Sequence, residues 1–117
     1  MAKARFYWKS TCSTCRDARN FIINELGVTV EERNYAKEPL TLPELQEIFK
    51  HRDPRQYLNP KSPAYKAMGL KDRTLTPEEA LALMASEPNL LKRPLTVAGR
   101  KMIAGFDRDA LRDALSG

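Results

Sequence analysis

Two cysteines and one histidine are the only thiol and imidazole groups in this chain of 117 residues, and that scarcity excludes more than any abundance does. A structural zinc site closes with four Cys or His ligands, one more than the chain can offer. One cysteine pair is also too few to staple a small secreted scaffold. Long apolar runs are missing: nothing approaches the roughly 18 residues of a membrane-spanning helix, and the N-terminal stretch lacks the apolar segment of a secretory leader. A cytoplasmic location is expected, where a lone cysteine pair serves catalysis or sensing more often than cross-linking. Repeats and low-complexity segments are absent. A chain of 117 residues, 42% hydrophobic and 30% charged, suits a single domain over 1–117 with a core of its own. We expect a monomer with neither bound metal nor bound cofactor. Acidic residues are the scarcer charge, 15 against 20 Lys and Arg, for a net +5. The excess gathers in residues 50–66, where Lys50, Arg52, Arg55, Lys61 and Lys66 stand with Asp53 alone. That pattern suits an anion or partner site and a solvated face equally. No nucleic-acid-binding signature accompanies it.

What the chain does have is Cys12-Ser13-Thr14-Cys15, with both cysteines two residues apart at a predicted strand-to-helix turn. Phe6-Tyr7-Trp8 before it is aromatic and strand-favouring. After it, Cys15, Ala18, Phe21, Ile22 and Leu26 recur at helical intervals, and Gly27 supplies a stop. Unpaired amides and the macrodipole at a helix N-terminus favour an anion, so a thiolate at Cys12 is stabilised there. Lys9, Arg16 and Arg19 add positive charge nearby. Cys12 is therefore the expected nucleophile, and Cys15, inside the first turn, the expected resolving thiol. Ser10 and Thr11 read as turn residues. Tyr7 and Trp8 either pack or line the site mouth, with packing preferred; Phe6, Phe21, Phe49 and Phe106 read as core.

The remaining elements follow from pattern and punctuation. Residues 28–35 alternate and are rich in β-branched side chains, predicting a second strand parallel to the first across the helical crossover. Thr41-Leu42-Pro43-Glu44 and Thr76-Pro77-Glu78-Glu79 are capping boxes, each opening a helix. Ser62-Pro63 opens a shorter one that ends at Gly69. Asn59 suits a turn before Pro60, and His51, between Lys50 and Arg52, a surface position at a helix end. Leu95-Thr96-Val97, Gly99-Arg100 and Met102-Ile103-Ala104 predict an antiparallel hairpin, and Asp107 caps a last helix. The expected architecture is α/β: a mixed four-stranded sheet with a helical insertion, about 41–91, between its βαβ and ββα halves.

With Ser10-Thr11-Cys12-Ser13-Thr14-Cys15-Arg16, then Leu90-Leu91-Lys92-Arg93-Pro94, then Ala104-Gly105-Phe106, the chain resembles the arsenate reductase-like (ArsC/Spx) family of the thioredoxin fold, over nearly its whole length. The family includes glutaredoxin-linked arsenate reductases and the Spx redox regulators. The resemblance implies a cis bond before Pro94, beside the reactive cysteine. It implies an anion site of Cys12 with three arginines: Arg93 matches one, Lys61 falls near the second, and the third, around Gly105, has no cationic match. Arg16 and Pro94 complete the candidate anion-binding set, and Arg100, Lys101 and Arg108 are candidates to supply the missing charge. Those reductases usually carry one cysteine in this loop, so Cys15 and the incomplete arginine set both point toward dithiol chemistry. The implied activity is thiol-dependent reduction of a disulfide, a glutathione adduct or an oxyanion such as arsenate, with glutathione, glutaredoxin or thioredoxin as reductant. The alternative implied is an Spx-like regulator that binds the RNA polymerase α subunit and uses CxxC as a switch.

Overall fold

Strand β1, Arg5–Trp8, is one of the two inner strands of the sheet. The computed structural model of the protein describes residues 4–115, and in it β1 pairs in parallel with β2 (Glu31–Asn34), matching Phe6 to Glu32 and Trp8 to Asn34. On its other side it pairs antiparallel with β3 (Leu95–Ala98), matching Tyr7 to Leu95, and β3 pairs antiparallel with β4 (Lys101–Ala104). The order β2-β1-β3-β4 is the mixed four-stranded sheet expected from the sequence. Inner position explains composition: Phe6 and Tyr7 point to opposite faces by strand alternation, and both are buried. The Glu31-Glu32-Arg33 run of β2 lies at an edge, where charge discourages further pairing.

The chain divides into two compact units, one comprising residues up to Glu38 together with those from Arg93 onward, the other Pro39–Lys92. The first holds the sheet with α1 (Ser13–Asn20) and α5 (Arg108–Leu115). Phe6, Ala18, Phe21, Ile22, Val30 and Leu111 form its core on the Phe6 face, each large side chain contributing about 1.5–3 kcal/mol by leaving water. After α1 the chain widens into a π-helical turn, Phe21–Glu25, and stops at Gly27, which takes φ 65° as a left-handed terminator. The Val28 N–H then reaches back to the Ile22 carbonyl at 3.1 Å. Strand β2 accordingly begins at Glu31 and not at residue 28, and Val28 and Val30 pack their apolar side chains on the core from the connection. The hairpin turns at Gly99-Arg100, Gly99 taking φ 61° at the first central position. Asp107 caps α5, its carboxylate accepting from the Ala110 N–H at 3.0 Å.

In the second unit both capping boxes close as predicted. Thr41 accepts from the Glu44 N–H while Glu44 accepts from that of Thr41, opening α2 (Leu42–Ile48), and Thr76 and Glu79 do the same for α4 (Pro77–Ser86). Helices α2 and α4 pack together, burying Leu45, Ile48, Ala80 and Met84. Between them lie α3 (Pro63–Ala67), which is followed by Gly69 at φ 63°, and short 3-10 turns.

Candidate active site

The loop that carries the thiols sits at the carboxyl ends of β1 and β2. Strand β1 ends at Trp8, and the chain turns so that the Cys12 N–H reaches the Lys9 carbonyl at 3.0 Å before α1 begins. Asn34, the last residue of β2, steadies this loop, its side-chain carbonyl accepting from the Ser10 and Ala36 N–H groups at 3.2 Å each. The Tyr35 N–H adds a bond to the Trp8 carbonyl at 2.9 Å. Sequence patterning treats Asn34 and Tyr35 as ordinary strand residues; an Asn at the end of a strand, able to bond backbone outside it, is the only signal that marks this one.

Cys12 is the N-cap of α1, with extended backbone (φ −102°, ψ 121°), and its thiol closes no cap hydrogen bond. The helix-terminal amides that serine would satisfy at this place are left for a thiolate. Burial pushes the Cys12 thiol up, but the Cys15 N–H, the Cys15 thiol and the Arg93 guanidinium outweigh it, so its pKa lies below that of an ordinary thiol. Cys15, one turn into the helix, is fully buried. Burial pushes its thiol up to about 12, assisted by the Cys12 charge and opposed by a hydrogen bond from the Lys9 backbone and by Arg93. One sulfur is thus part-exposed and acidic, the other enclosed and protonated.

Arg93 and Pro94 enter from the chain leading into β3. Their peptide bond is cis, as the resemblance implies. Pro94 is fully buried, and its carbonyl accepts from the Gly105 N–H at 2.8 Å, bringing Ala104-Gly105 to the same end of the sheet. Tyr35 is the residue that sequence patterning leaves out: buried, within electrostatic reach of both sulfurs and of Arg93. Burial and then the Cys15 charge raise its hydroxyl well above the usual phenol range.

The other candidates have different placements. Arg16 is exposed and donates to the Ser10 carbonyl at 2.8 Å, which spends part of its guanidinium on holding the loop. Lys61 belongs to the second unit, where its N–H donates to the Asn59 side chain at 3.0 Å in the turn expected of Asn59. Arg100 and Lys101 lie at the hairpin turn. Because β3 runs from Leu95 beside Tyr7 toward Val97 beside Arg5, that turn is at the far end of the sheet from Arg93 and Pro94. Lys101 pairs there with Asp113 at 3.3 Å. Arg108 lies over the Phe21 and Phe106 rings, 5.8 and 5.1 Å from their centroids. Register and packing thus draw Lys101 and Arg108 to other work. Trp8 packs partly buried against the core, its ring 6.3 Å from that of Phe6, with the Arg19 guanidinium over it at 5.3 Å. Phe106 is partly buried at the edge of that core rather than inside it.

A thiol at a helix N-cap, a second thiol one turn on and a cis proline before the facing strand fit the thioredoxin-like sheet around them. The sequence pattern of the ArsC family matches residues 7–114. The chain belongs to the ArsC family. Among its relatives, the uncharacterized YusI of Bacillus subtilis is 32% identical over 112 residues, covering 92% of this chain and 94% of that one. The global transcriptional regulator Spx of Listeria innocua is 26% identical over 108 residues, covering 91% and 82%. The structure of an ArsC family related protein from Bacteroides fragilis matches with a TM-score of 0.80 at 28% identity, over 97% of this chain and 99% of that one. These relatives are matched along most of their length, so the likeness extends over the chain and is not confined to one motif.

Proposed function

We propose that this ArsC-family protein is a thiol–disulfide redox protein in which Cys12 is the nucleophile and Cys15 the resolving thiol. One observation carries the reading: within a single helical turn, Cys12 has its pKa lowered by Cys15 and Arg93 while Cys15 is buried and held protonated. The Cys12 thiolate attacks the sulfur of an oxidised substrate, forming a Cys12 mixed disulfide and expelling one thiol. Cys15 then attacks the Cys12 sulfur, releasing the second thiol and closing a Cys12–Cys15 disulfide. Glutathione, glutaredoxin or thioredoxin restores the dithiol. Arg93, beside Pro94, steadies the thiolate or an anionic substrate, with Arg16 at the loop as a further anion contact. With an oxyanion such as arsenate the Cys12 thiolate attacks arsenic instead, forming an S–As bond as water leaves; Cys15 then attacks the Cys12 sulfur, the S–As bond breaks with its electron pair on arsenic, and arsenite departs as the Cys12–Cys15 disulfide closes. The protein works as a cytoplasmic monomer without a bound cofactor.

The test is a Cys15→Ser variant treated with oxidised glutathione. It should accumulate a glutathione adduct on Cys12 that persists for hours, whereas the unmodified protein passes through the adduct to an internal disulfide. An adduct equally short-lived in both proteins sinks the assignment of Cys15.

The relatives named as Spx regulators favour a second reading, in which the same pair is a redox switch on a protein that binds the RNA polymerase α subunit. Turnover with glutathione and arsenate supports the enzyme; binding of purified α subunit by one redox state, without turnover, supports the regulator.

A further inference from the structure

Among the described residues, Trp8 Nε1, the Tyr35, Ser62 and Thr96 hydroxyls and Arg93 Nη1 are buried without a hydrogen-bond partner, and of these the Tyr35 hydroxyl and Arg93 Nη1 lie within electrostatic reach of the thiols. Tyr35 as a whole is only 2% exposed. A buried hydroxyl without a partner is unusual enough in a folded protein to require a reason. Its position supplies one. The Tyr35 N–H is tied to the Trp8 carbonyl, one residue past the Trp8–Asn34 register pair, which roots the side chain beside the loop that carries the thiols. The phenol lies within electrostatic reach of Cys15, Arg93 and Cys12, and its oxygen is approached by the Arg93 guanidinium, while its own hydrogen has no acceptor. The Tyr35 hydroxyl therefore stands near two sulfurs with no acceptor for its hydrogen, while the Arg93 guanidinium serves Cys12.

We propose that Tyr35 is a catalytic residue for the resolving step, its hydroxyl donating a hydrogen bond to the Cys15 sulfur as that thiol becomes the attacking thiolate. This rests on the reading of Cys15 as the resolving thiol. In the reduced protein the negative charge is on Cys12, and the Cys15 thiol serves it. Once Cys12 is held in a mixed disulfide, that charge is gone and Cys15 must ionise in a site where burial opposes it. Arg93 offers charge, and Tyr35 offers a fixed, water-free donor that needs no reorganisation. The Cys15 sulfur then bonds to the Cys12 sulfur as the Cys12–substrate S–S bond breaks. The departing sulfur takes the electron pair and ends as a thiol carrying the proton that Cys15 gave up. Tyr35 keeps its own proton throughout.

The experiment follows both steps in one trace, using the full chain and the neutral chromogenic disulfide dithiodipyridine, which any accessible thiolate attacks. The first equivalent of pyridinethione reports attack by Cys12 and the second reports resolution by Cys15. In Tyr35→Phe the first step should change by less than about twofold. The second should slow by about 10- to 100-fold, the range of a hydrogen bond to a charged group, and its pH profile should move to higher pH. Phenylalanine keeps the ring and removes only an unpartnered hydroxyl, so thermal stability should not fall. A second step at the unmodified rate, or both steps slowed alike, overturns the role of Tyr35. Mass spectrometry of the products separates the two claims: if the unmodified protein ends with a pyridyl disulfide on each cysteine and no internal Cys12–Cys15 disulfide, the dithiol reading itself fails. If the internal disulfide forms, while Tyr35→Phe forms it at full rate, Tyr35 alone is misassigned.

Discussion

The Cys12→Ser variant is expected to lose thiol–disulfide exchange by a factor of at least about 10³. A serine hydroxyl is not ionised near neutral pH and is a poor nucleophile toward sulfur, so the remaining thiol sets the ceiling. Cys15 is fully buried, and that burial, the largest cause of its raised pKa, persists when the Cys12 charge is removed, so little of it is thiolate near neutral pH. Even with full access, Cys15 would not replace what Cys12 supplies. The loss is chemical rather than structural, because residue 12 is the N-cap of α1 and serine is among the best residues for that position. Stability should hold or rise slightly. The check is a single-turnover reaction with a small disulfide, run beside a thermal melt; residual exchange within tenfold of the unmodified protein would contradict the assignment.

Arg93→Met carries the next largest effect, and its sign changes with pH. The guanidinium lowers the Cys12 pKa through a hydrogen bond and through its charge, so methionine, which keeps much of the bulk, should let that pKa rise. A charge-assisted bond of this kind is worth about 1.5–3 kcal/mol, or roughly 10- to 100-fold in thiolate population. Well below the Cys12 pKa the variant should therefore react about 10- to 100-fold more slowly. As the pH rises through the variant's higher pKa, its thiolate fraction catches up. Since a thiolate of higher pKa is intrinsically the better nucleophile, the variant should then match or overtake the parent with a neutral disulfide. With an anionic disulfide the deficit should persist at every pH, because the attractive charge is gone. Rate profiles from pH 5 to 10 with one disulfide of each kind distinguish these cases, and a deficit independent of pH for the neutral one would assign Arg93 to packing.

The local signals in the sequence carried over where one stretch of chain decides the outcome. Thr41 with Glu44 and Thr76 with Glu79 close their capping boxes, Gly27, Gly69 and Gly99 adopt left-handed backbone where stops and a turn were expected, and the hairpin forms over the predicted residues. What local pattern misjudged were positions settled by distant partners. Val28 and Val30 look like strand residues because they are β-branched, yet the helix terminator holds Val28 back and the core takes both. Arg100 and Lys101 follow the candidate anion site in sequence by only a few residues, and strand register carries them to the far end of the sheet. Asn34 and Tyr35 belong to the site only because β2 pairs in parallel beside β1, so their carboxyl ends emerge together. The thiols themselves were legible from spacing alone; their unequal environments, one acidic and one buried, needed the packed helix.

Those unequal environments are the centre of the account, and equilibration in glutathione redox buffers, followed by mass spectrometry of the intact protein, tests them most directly. The unmodified chain should partition between a dithiol and an internal Cys12–Cys15 disulfide, two hydrogens lighter and free of glutathione, interconverting reversibly as the buffer ratio changes. A stable glutathione adduct on Cys12 with Cys15 still a free thiol, at every ratio, would contradict it.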